Sequence, residues 1–251
     1  MDAQERLIRQ ARRLSAKVFP PDENYQDLYD PKSGRNYFYF PGIDYFERRF
    51  ITPDMIAELQ KGKSLLSVGC GDCHLERLLC HGFGVSDITV ADIELEESAK
   101  CFKNIEFDMT KPWPEMGTFD YIIFPESLRI AVTVLCLGGN GISMRFFDEM
   151  QTAAKYVLNG IKTIPHRQLF LRVMEQDLPE AVVSHSILRE AVTRLNPQGE
   201  VRVKYGINYD QEKAYAMLKL QDEFGSLRFA SDNSCFFVYK GLALENRKLY
   251  K

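Results

Sequence analysis

Cysteines, glycines, acids and a histidine crowd into Ser67–Leu79, SVGCGDCHLERLL, and their spacing fits three kinds of chemistry. Cys70-Gly-Asp-Cys73-His74 has the order of a covalent haem attachment site. Cys70 and Cys73 alone have the order of a redox or zinc pair. Gly69-Cys70-Gly71 has that of a turn that lets the backbone approach a nucleotide.

Context separates the three. Covalent haem attachment belongs to exported domains, and the charged start of the chain never leads into the apolar core of a secretory signal. His74 is then a residue in the first turn of the following helix. A zinc site would need a second Cys pair or a nearby His pair, and neither stands at the required spacing, so no metal is expected. Six cysteines without an export signal read as reduced small hydrophobes rather than a disulfide framework. The nucleotide turn survives, because an apolar strand precedes it and an amphipathic helix follows it.

The composition is that of an ordinary soluble protein: 251 residues, 45% hydrophobic and 27% charged, with no apolar run long enough to cross a bilayer. A net charge of -3 argues against binding nucleic acid mainly by neutralising phosphates. A cytoplasmic, reducing compartment is the expected location, with neither membrane nor nucleic acid as partner. Residues 1–19 combine Arg6, Arg9, Arg12, Arg13 and Lys17 with Leu7, Ala11, Leu14 and Val18 at helical spacing. This basic amphipathic helix, with its acids Asp2 and Glu5, is expected to pack as an arm on the fold rather than serve as a transit peptide.

From Ser64 onward short apolar runs alternate with helical segments, which predicts repeated strand-helix units and a mainly parallel sheet. The expected strands are Leu65–Val68, Ile88–Ala91 ending at Asp92, Ile105–Phe107, Phe119–Phe124, Leu169–Val173, a half-exposed Val201–Tyr205 and a buried Cys235–Tyr239. Helices are predicted from Leu75 to about Gly82, around Glu96–Phe102, from about Met144 to Ile161, from Pro179 to Asn196-Pro197, and through most of 207–225. Residues 127–142 form an insertion. Residues 20–60 fit no such unit. Their aromatics, Tyr37-Phe-Tyr-Phe40, Tyr45, Phe46 and Phe50, predict a cap on the sheet, more for packing than for recognition. The chain is thus expected to divide into an N-terminal cap, 1–60, and a sheet domain, 61–251.

Two carboxylates give the turn its weight. Asp92 stands at the carboxyl end of the second strand, about 20 residues beyond the glycines, where an acid can accept both hydroxyls of a ribose. Asp108 follows the third strand. Successive parallel strands thereby deliver polar ends to one edge of the sheet, the edge at which open parallel sheets bind ligands.

Here the chain resembles the class I, Rossmann-like S-adenosylmethionine-dependent methyltransferases, over about 64–240 in element order and most strongly over 65–126. LLSVGCGDCHLERLL is similar to that family's glycine-rich first motif, ITVADIE to its ribose-binding second, IEFDMT to its adenine-contacting third and FDYIIFPES to its fourth. The resemblance implies a three-layer α/β fold with a sheet of about seven strands, mostly parallel with an antiparallel last strand, plus a mainly helical N-terminal cap. It implies S-adenosylmethionine as cofactor, with Gly69 and Gly71 and the backbone of Cys70 and Asp72 along its methionine part. Asp92 and Ile93 would lie at the ribose and its surroundings, Asp108 and Met109 at the adenine, and Phe124, Pro125 and Glu126 beside the transferable methyl.

The chain departs from the family pattern at Ser67, where an acid is usual two residues before the first glycine, and at Cys73, where a third glycine is frequent. A dinucleotide oxidoreductase would need glycine at position 74, which is His74.

In-line methyl transfer requires the acceptor within about 3 to 3.5 Å of the methyl group and exclusion of water. For a hydroxyl or ammonium acceptor Glu126 is the best-placed base, or else the cap of the next helix. His166 and His185 are expected to be structural. Phe124-Pro125-Glu126-Ser127 is neither the Asn-Pro-Pro-aromatic arrangement used on nucleobase or glutamine amines nor a Pro-Cys nucleophile. The expected activity is therefore methyl transfer to an oxygen or nitrogen of a small molecule or protein. The alternatives are a catalytically silent methyltransferase-like binding protein and transfer of another part of the cofactor, such as its aminopropyl group.

Overall fold

The computed structural model describes residues 1–19, 27–30, 35–38, 42–125, 167–204, 210–232 and 235–241. Glu126, the insertion 127–142, the helix expected over 144–161, and His166 lie outside them. The main sheet has seven strands in the spatial order Lys103–Glu106, Ile88–Asp92, Leu65–Val68, Phe119–Phe124, Leu195–Lys204, Cys235–Lys240 and Leu227–Asp232; the first three are parallel to one another, the fourth is parallel to the fifth, and the sixth is antiparallel to both its neighbours, while a separate two-stranded ribbon pairs Asp27–Asp30 with Arg35–Phe38. Seven strands, with the last in sequence antiparallel, is the architecture implied by the resemblance. The chain forms two compact units, Met1–Glu106 and Phe107–Lys251.

The first unit opens with α1 (Ala3–Val18), started by a capping box. Asp2 Oδ1 accepts the Glu5 N–H at 2.7 Å, and Glu5 Oε2 accepts the Asp2 N–H at 3.2 Å. Leu7 and Ala11 are buried along one face while the arginines stay outside, so the basic helix is a packed arm. Gln4 fixes its start by donating to the carbonyls of Phe46 and Ile51 at 2.6 and 3.0 Å. At its other end, Phe19 lies edge-on to His74 at 5.2 Å and beneath the Arg77 guanidinium at 4.7 Å.

The ribbon strands β1 (Asp27–Asp30) and β2 (Arg35–Phe38) follow, then α2 (Asp44–Glu47) and α3 (Pro53–Gln60). Phe46 and Phe50 are fully buried, and Phe46 stacks on Phe83 at 5.5 Å, so these aromatics pack, as their density suggested.

Next come β3 (Leu65–Val68), α4 (His74–Arg77) continuing into a π-helical turn Leu78–Gly82, β4 (Ile88–Asp92), a 3-10 turn Glu97–Cys101, and β5 (Lys103–Glu106). β3 and β4 are parallel with Leu65 opposite Ile88, and β4 and β5 are parallel with Asp92 opposite Glu106. The third strand therefore lies slightly earlier than Ile105–Phe107. Its exposed Lys103, Asn104 and Glu106 and half-exposed Ile105 mark an edge strand, which apolar runs alone do not reveal.

The second unit contains β6 (Phe119–Phe124), α5 (Arg167–Asp177), α6 (Pro179–Thr193), β7 (Leu195–Lys204), α7 (Asp210–Phe224), β8 (Leu227–Asp232) and β9 (Cys235–Lys240). Leu169–Val173 is not a strand but the middle of α5. The short apolar run is compatible with either period, and Phe170, Met174 and Leu178 recur four apart to pack with Ala181, Ala214 and Tyr215. The seventh strand is instead β8, an edge strand paired antiparallel with β9.

β7 corrects a second expectation. Arg202 and Lys204, expected on a solvent face, are 4% and 0% exposed. β7 lies between β6 and β9, and Arg202 pairs with Glu200 at 2.7 Å between the rings of Tyr121 and Phe237, 5.9 and 5.5 Å away. Alternating charge therefore marked a buried ion pair with cation–π contacts rather than a wet face. Where the β6–β7 register breaks, a side chain at Gly199 would approach the Asp120 carbonyl to 3.1 Å, a tight contact that favours glycine there.

Candidate active site

β3 ends at Val68, and the backbone then turns through left-handed conformations at alternate residues: Gly69 (φ 71°), Gly71 (φ 50°) and Cys73 (φ 56°). Glycine adopts this region without penalty, whereas Cys73 carries the strain of a side chain there, about 1 to 2 kcal/mol. Cys73 thus occupies, at a cost, a conformation suited to the third glycine of the resembling motif. The turn is pinned to β4: the Gly69 and Cys70 N–H groups both donate to the Ala91 carbonyl, at 2.6 and 3.3 Å. A Cβ built on Gly71 meets nothing within 4 Å, so the turn presents bare backbone to open space.

Asp92 closes the arrangement. Its Oδ2 accepts the Gly71 N–H at 2.9 Å and its Oδ1 accepts the Ile93 N–H at 2.8 Å. These bonds aim the carboxylate at the turn, and each oxygen retains a second lone pair for an incoming hydroxyl. Ile93 is 65% exposed, an unusual position for a large apolar side chain beside a carboxylate.

Asp72 starts α4. Its Oδ1 accepts the His74 N–H at 3.3 Å, and its Oδ2 lies 2.8 Å from His74 Nδ1. Partial burial pushes the Asp72 carboxyl up, but the bonds to His74 outweigh it and hold the group below its ordinary value. Cys70 and Cys73 are buried free thiols, and the Cys70 thiol is pushed far above the usual range by its hydrogen bond with Cys73 and by burial. The Cys70 thiol is thus a poor nucleophile, and both buried side chains act as turn packing.

In the second unit, Asp108 Oδ1 accepts both the N–H and the hydroxyl of Thr110, at 2.9 and 2.6 Å. The Thr110 bonds hold its carboxyl below the ordinary range. Its visible task is therefore that of a turn acid, with Oδ2 left for another partner. The Met109 carbonyl accepts the Trp113 indole N–H at 3.0 Å, and Trp113 packs against Phe107 at 5.1 Å and Phe124 at 6.2 Å. Phe124 and Pro125 are buried at the end of β6, Phe124 completely. His185, buried in α6, lies 3.2 Å from Glu223 and edge-on to Tyr215. Burial lowers its pKa, as for a packed structural histidine.

Sequence reasoning missed one charged residue in this region. Glu76 in α4 is 1% exposed and accepts a hydrogen bond from the Ser67 hydroxyl. Burial, opposed by the Ser67 bond, raises its carboxyl to about 7. The available signal was its spacing: Glu76 in α4 stands one residue after the buried Leu75 and three before the buried Leu79 of the π-helical turn that continues the helix, so the acid lies on the apolar side.

No family model and no curated protein matches the sequence. Among solved structures, the chain is similar to MycE, a methyltransferase of mycinamycin biosynthesis solved with Mg and SAH, at 14% identity and TM-score 0.45, over 95% of this chain but 56% of that one. It is also similar to magnesium protoporphyrin IX methyltransferase from Synechocystis PCC 6803, at 11% identity and TM-score 0.44, over 96% and 98%. The N-methyltransferase NodS from Bradyrhizobium japonicum WM9 matches at 11% identity and TM-score 0.40, over 96% and 99%. Among the described residues, no helix is long and apolar enough to cross a membrane.

Proposed function

We propose that the chain binds S-adenosylmethionine and transfers its methyl group to an oxygen or nitrogen acceptor on a small molecule or protein. One observation carries the reading: the Gly71 N–H donates to Asp92 at 2.9 Å, which joins a bare-backbone turn after one strand to a carboxylate at the end of its parallel neighbour. Two strand ends thus bring the bare backbone at Gly71 next to a carboxylate whose two oxygens can accept vicinal hydroxyls.

The residues fit an adenosyl group. Asp92 can accept the ribose hydroxyls on its remaining lone pairs, and the exposed Ile93 offers an apolar face to a base. Gly69 and Gly71, with the backbone of Cys70 and Asp72, would line the amino-acid part, and Asp108 and Met109 would approach the adenine edge. When bound, this cofactor supplies an electrophilic methyl group on a sulfonium. The protein's task is then to align an acceptor, exclude water and take a proton. Phe124 and Pro125 would wall the methyl side, and Glu126 would receive the acceptor's proton. The N-terminal residues 1–60 would act as a cap.

Calorimetric titration with S-adenosylhomocysteine, followed by the same titration on Asp92→Ala, tests the binding. Losing hydrogen bonds to a charged acceptor costs about 1.5–3 kcal/mol, so affinity should fall at least about tenfold. Wild-type protein that binds nothing at millimolar ligand would refute the reading. Product analysis after incubation with S-adenosylmethionine separates methyl from aminopropyl transfer.

A further inference from the structure

The hydrogen bond between Ser67 and Glu76 spans the glycine turn. Ser67 is the penultimate residue of β3, fully buried, and Glu76 is the third residue of α4, 1% exposed. The bond therefore staples the strand before Gly69-Cys70-Gly71 to the helix after it.

A buried carboxylate costs several kcal/mol unless a cation or several donors compensate it. Among the described residues Glu76 has no ion pair. The titratable groups that act on it are Asp72 and His74, flanking the start of its own helix, and it in turn acts on Cys70 within the turn. Of these only His74 can be cationic, and His74 is paired with Asp72. Glutamine would fill the same space and accept the same Ser67 bond without the penalty. A carboxylate here is an expensive way merely to pack a helix.

What it lacks is a positive charge at the turn, and the proposed ligand carries an ammonium at the end that the turn would hold. We propose that Glu76 is the acid of the cofactor turn, a positioning residue that fixes the turn through Ser67 and whose charge is matched by the ammonium of the ligand's amino-acid end. The carboxylate that the resembling motif places on the strand, where this chain has Ser67, is delivered from the helix instead. This inference rests on the reading that the turn binds S-adenosylmethionine.

The test compares two probes at pH 8, where Glu76 is largely ionised: S-adenosylhomocysteine, which has the amino-acid end, and 5′-methylthioadenosine, which lacks it. Calorimetry and melting curves are run on wild type, the isosteric Glu76→Gln, and the transfer variant Ser67→Asp/Glu76→Ala. The expected result is that Glu76→Gln weakens S-adenosylhomocysteine about tenfold or more while methylthioadenosine stays within about threefold, tenfold being the effect of 1.4 kcal/mol. The transfer variant should recover most of the loss. If Glu76→Gln leaves both affinities unchanged, or weakens both equally, Glu76 has only a structural role and the inference falls. If wild type binds neither probe, the cofactor reading itself falls and takes the inference with it. Should the transfer variant fail to fold, Glu76→Gln decides alone.

Discussion

Replacing Glu76 by glutamine should change the pH dependence of stability in a direction opposite to that of most acids. The native carboxyl is raised to about 7 from 4.5, chiefly by burial, so the folded state holds its proton where the unfolded chain has released it. Below pH 4.5 both states are protonated and the group's contribution is complete. As pH rises from there to about 7, stability falls by 1.36 kcal/mol per pH unit, and above about 7 both states are ionised and the loss stops. The whole loss is about 3 kcal/mol, and the part between pH 5 and pH 8 is about 2 to 3 kcal/mol.

Glutamine retains an acceptor for the Ser67 hydroxyl but has no proton to lose. The stability difference between Glu76→Gln and wild type should therefore shift by about 2 to 3 kcal/mol in favour of the variant between pH 5 and pH 8. Denaturant melts of both proteins across that range measure it. Titrations that do not interact with Glu76, such as that of Glu212, which burial raises to about 7 in the second unit, are common to both proteins and cancel in the difference. Two curves separated by a constant offset from pH 5 to pH 8 would refute the argument, because they would mean that Glu76 is solvated or already paired with a cation. Together with the binding test the result would be informative: an acid that destabilises the empty protein and strengthens ligand binding is one whose compensation comes with the ligand.

The other expectations concern the turn and the sheet. Gly71→Ala should cost only about 1 kcal/mol in a thermal melt, the penalty of a side chain at φ 50°, because nothing lies within 4 Å of the added carbon. Its S-adenosylhomocysteine affinity should nevertheless fall at least tenfold, and an unchanged affinity would remove the turn from the site. At Cys73 the usual advantage of alanine over glycine should vanish. The left-handed penalty of about 1 to 2 kcal/mol offsets the extra freedom of unfolded glycine and the lost methyl burial, so Cys73→Gly and Cys73→Ala should melt within about 0.5 kcal/mol of each other. Arg202→Ala removes one half of a buried ion pair and should cost about 3 to 5 kcal/mol in denaturant melts, whereas Arg202→Met together with Glu200→Gln should cost much less.

These tests bear on what could be read from the chain. The strands β3, β4, β6 and β9 were legible because each is a run of apolar residues bounded by glycine, aspartate or charge, and burial on both faces leaves no competing pattern. The two sites where the reading failed share a cause. Leu169–Val173 and the Arg202–Lys204 segment are short stretches whose local pattern fits two environments. The choice was made by distant partners, Ala214 and Tyr215 for the first and Tyr121 and Phe237 for the second. The same limit applied to β5 and β8, whose edge positions relax the demand for apolar residues.

The turn shows the other side of this relation. Gly69, Gly71 and Asp92 could be named from the sequence because backbone conformation and strand-end position are local consequences of residue type. Glu76 could not, because a glutamate in a helix is ordinarily solvated and only the tertiary fold brings it against Ser67. Ser67 and Glu76 are nine residues apart, and the observed bond makes one unit of a serine where an acid is usual and an acid where a hydrophobe would pack. Each looks like a defect when read alone. Together they keep a hydroxyl–carboxylate pair at the base of the glycine turn, and charge removal at 76, set against charge transfer to 67, distinguishes a relocated function from two independent losses.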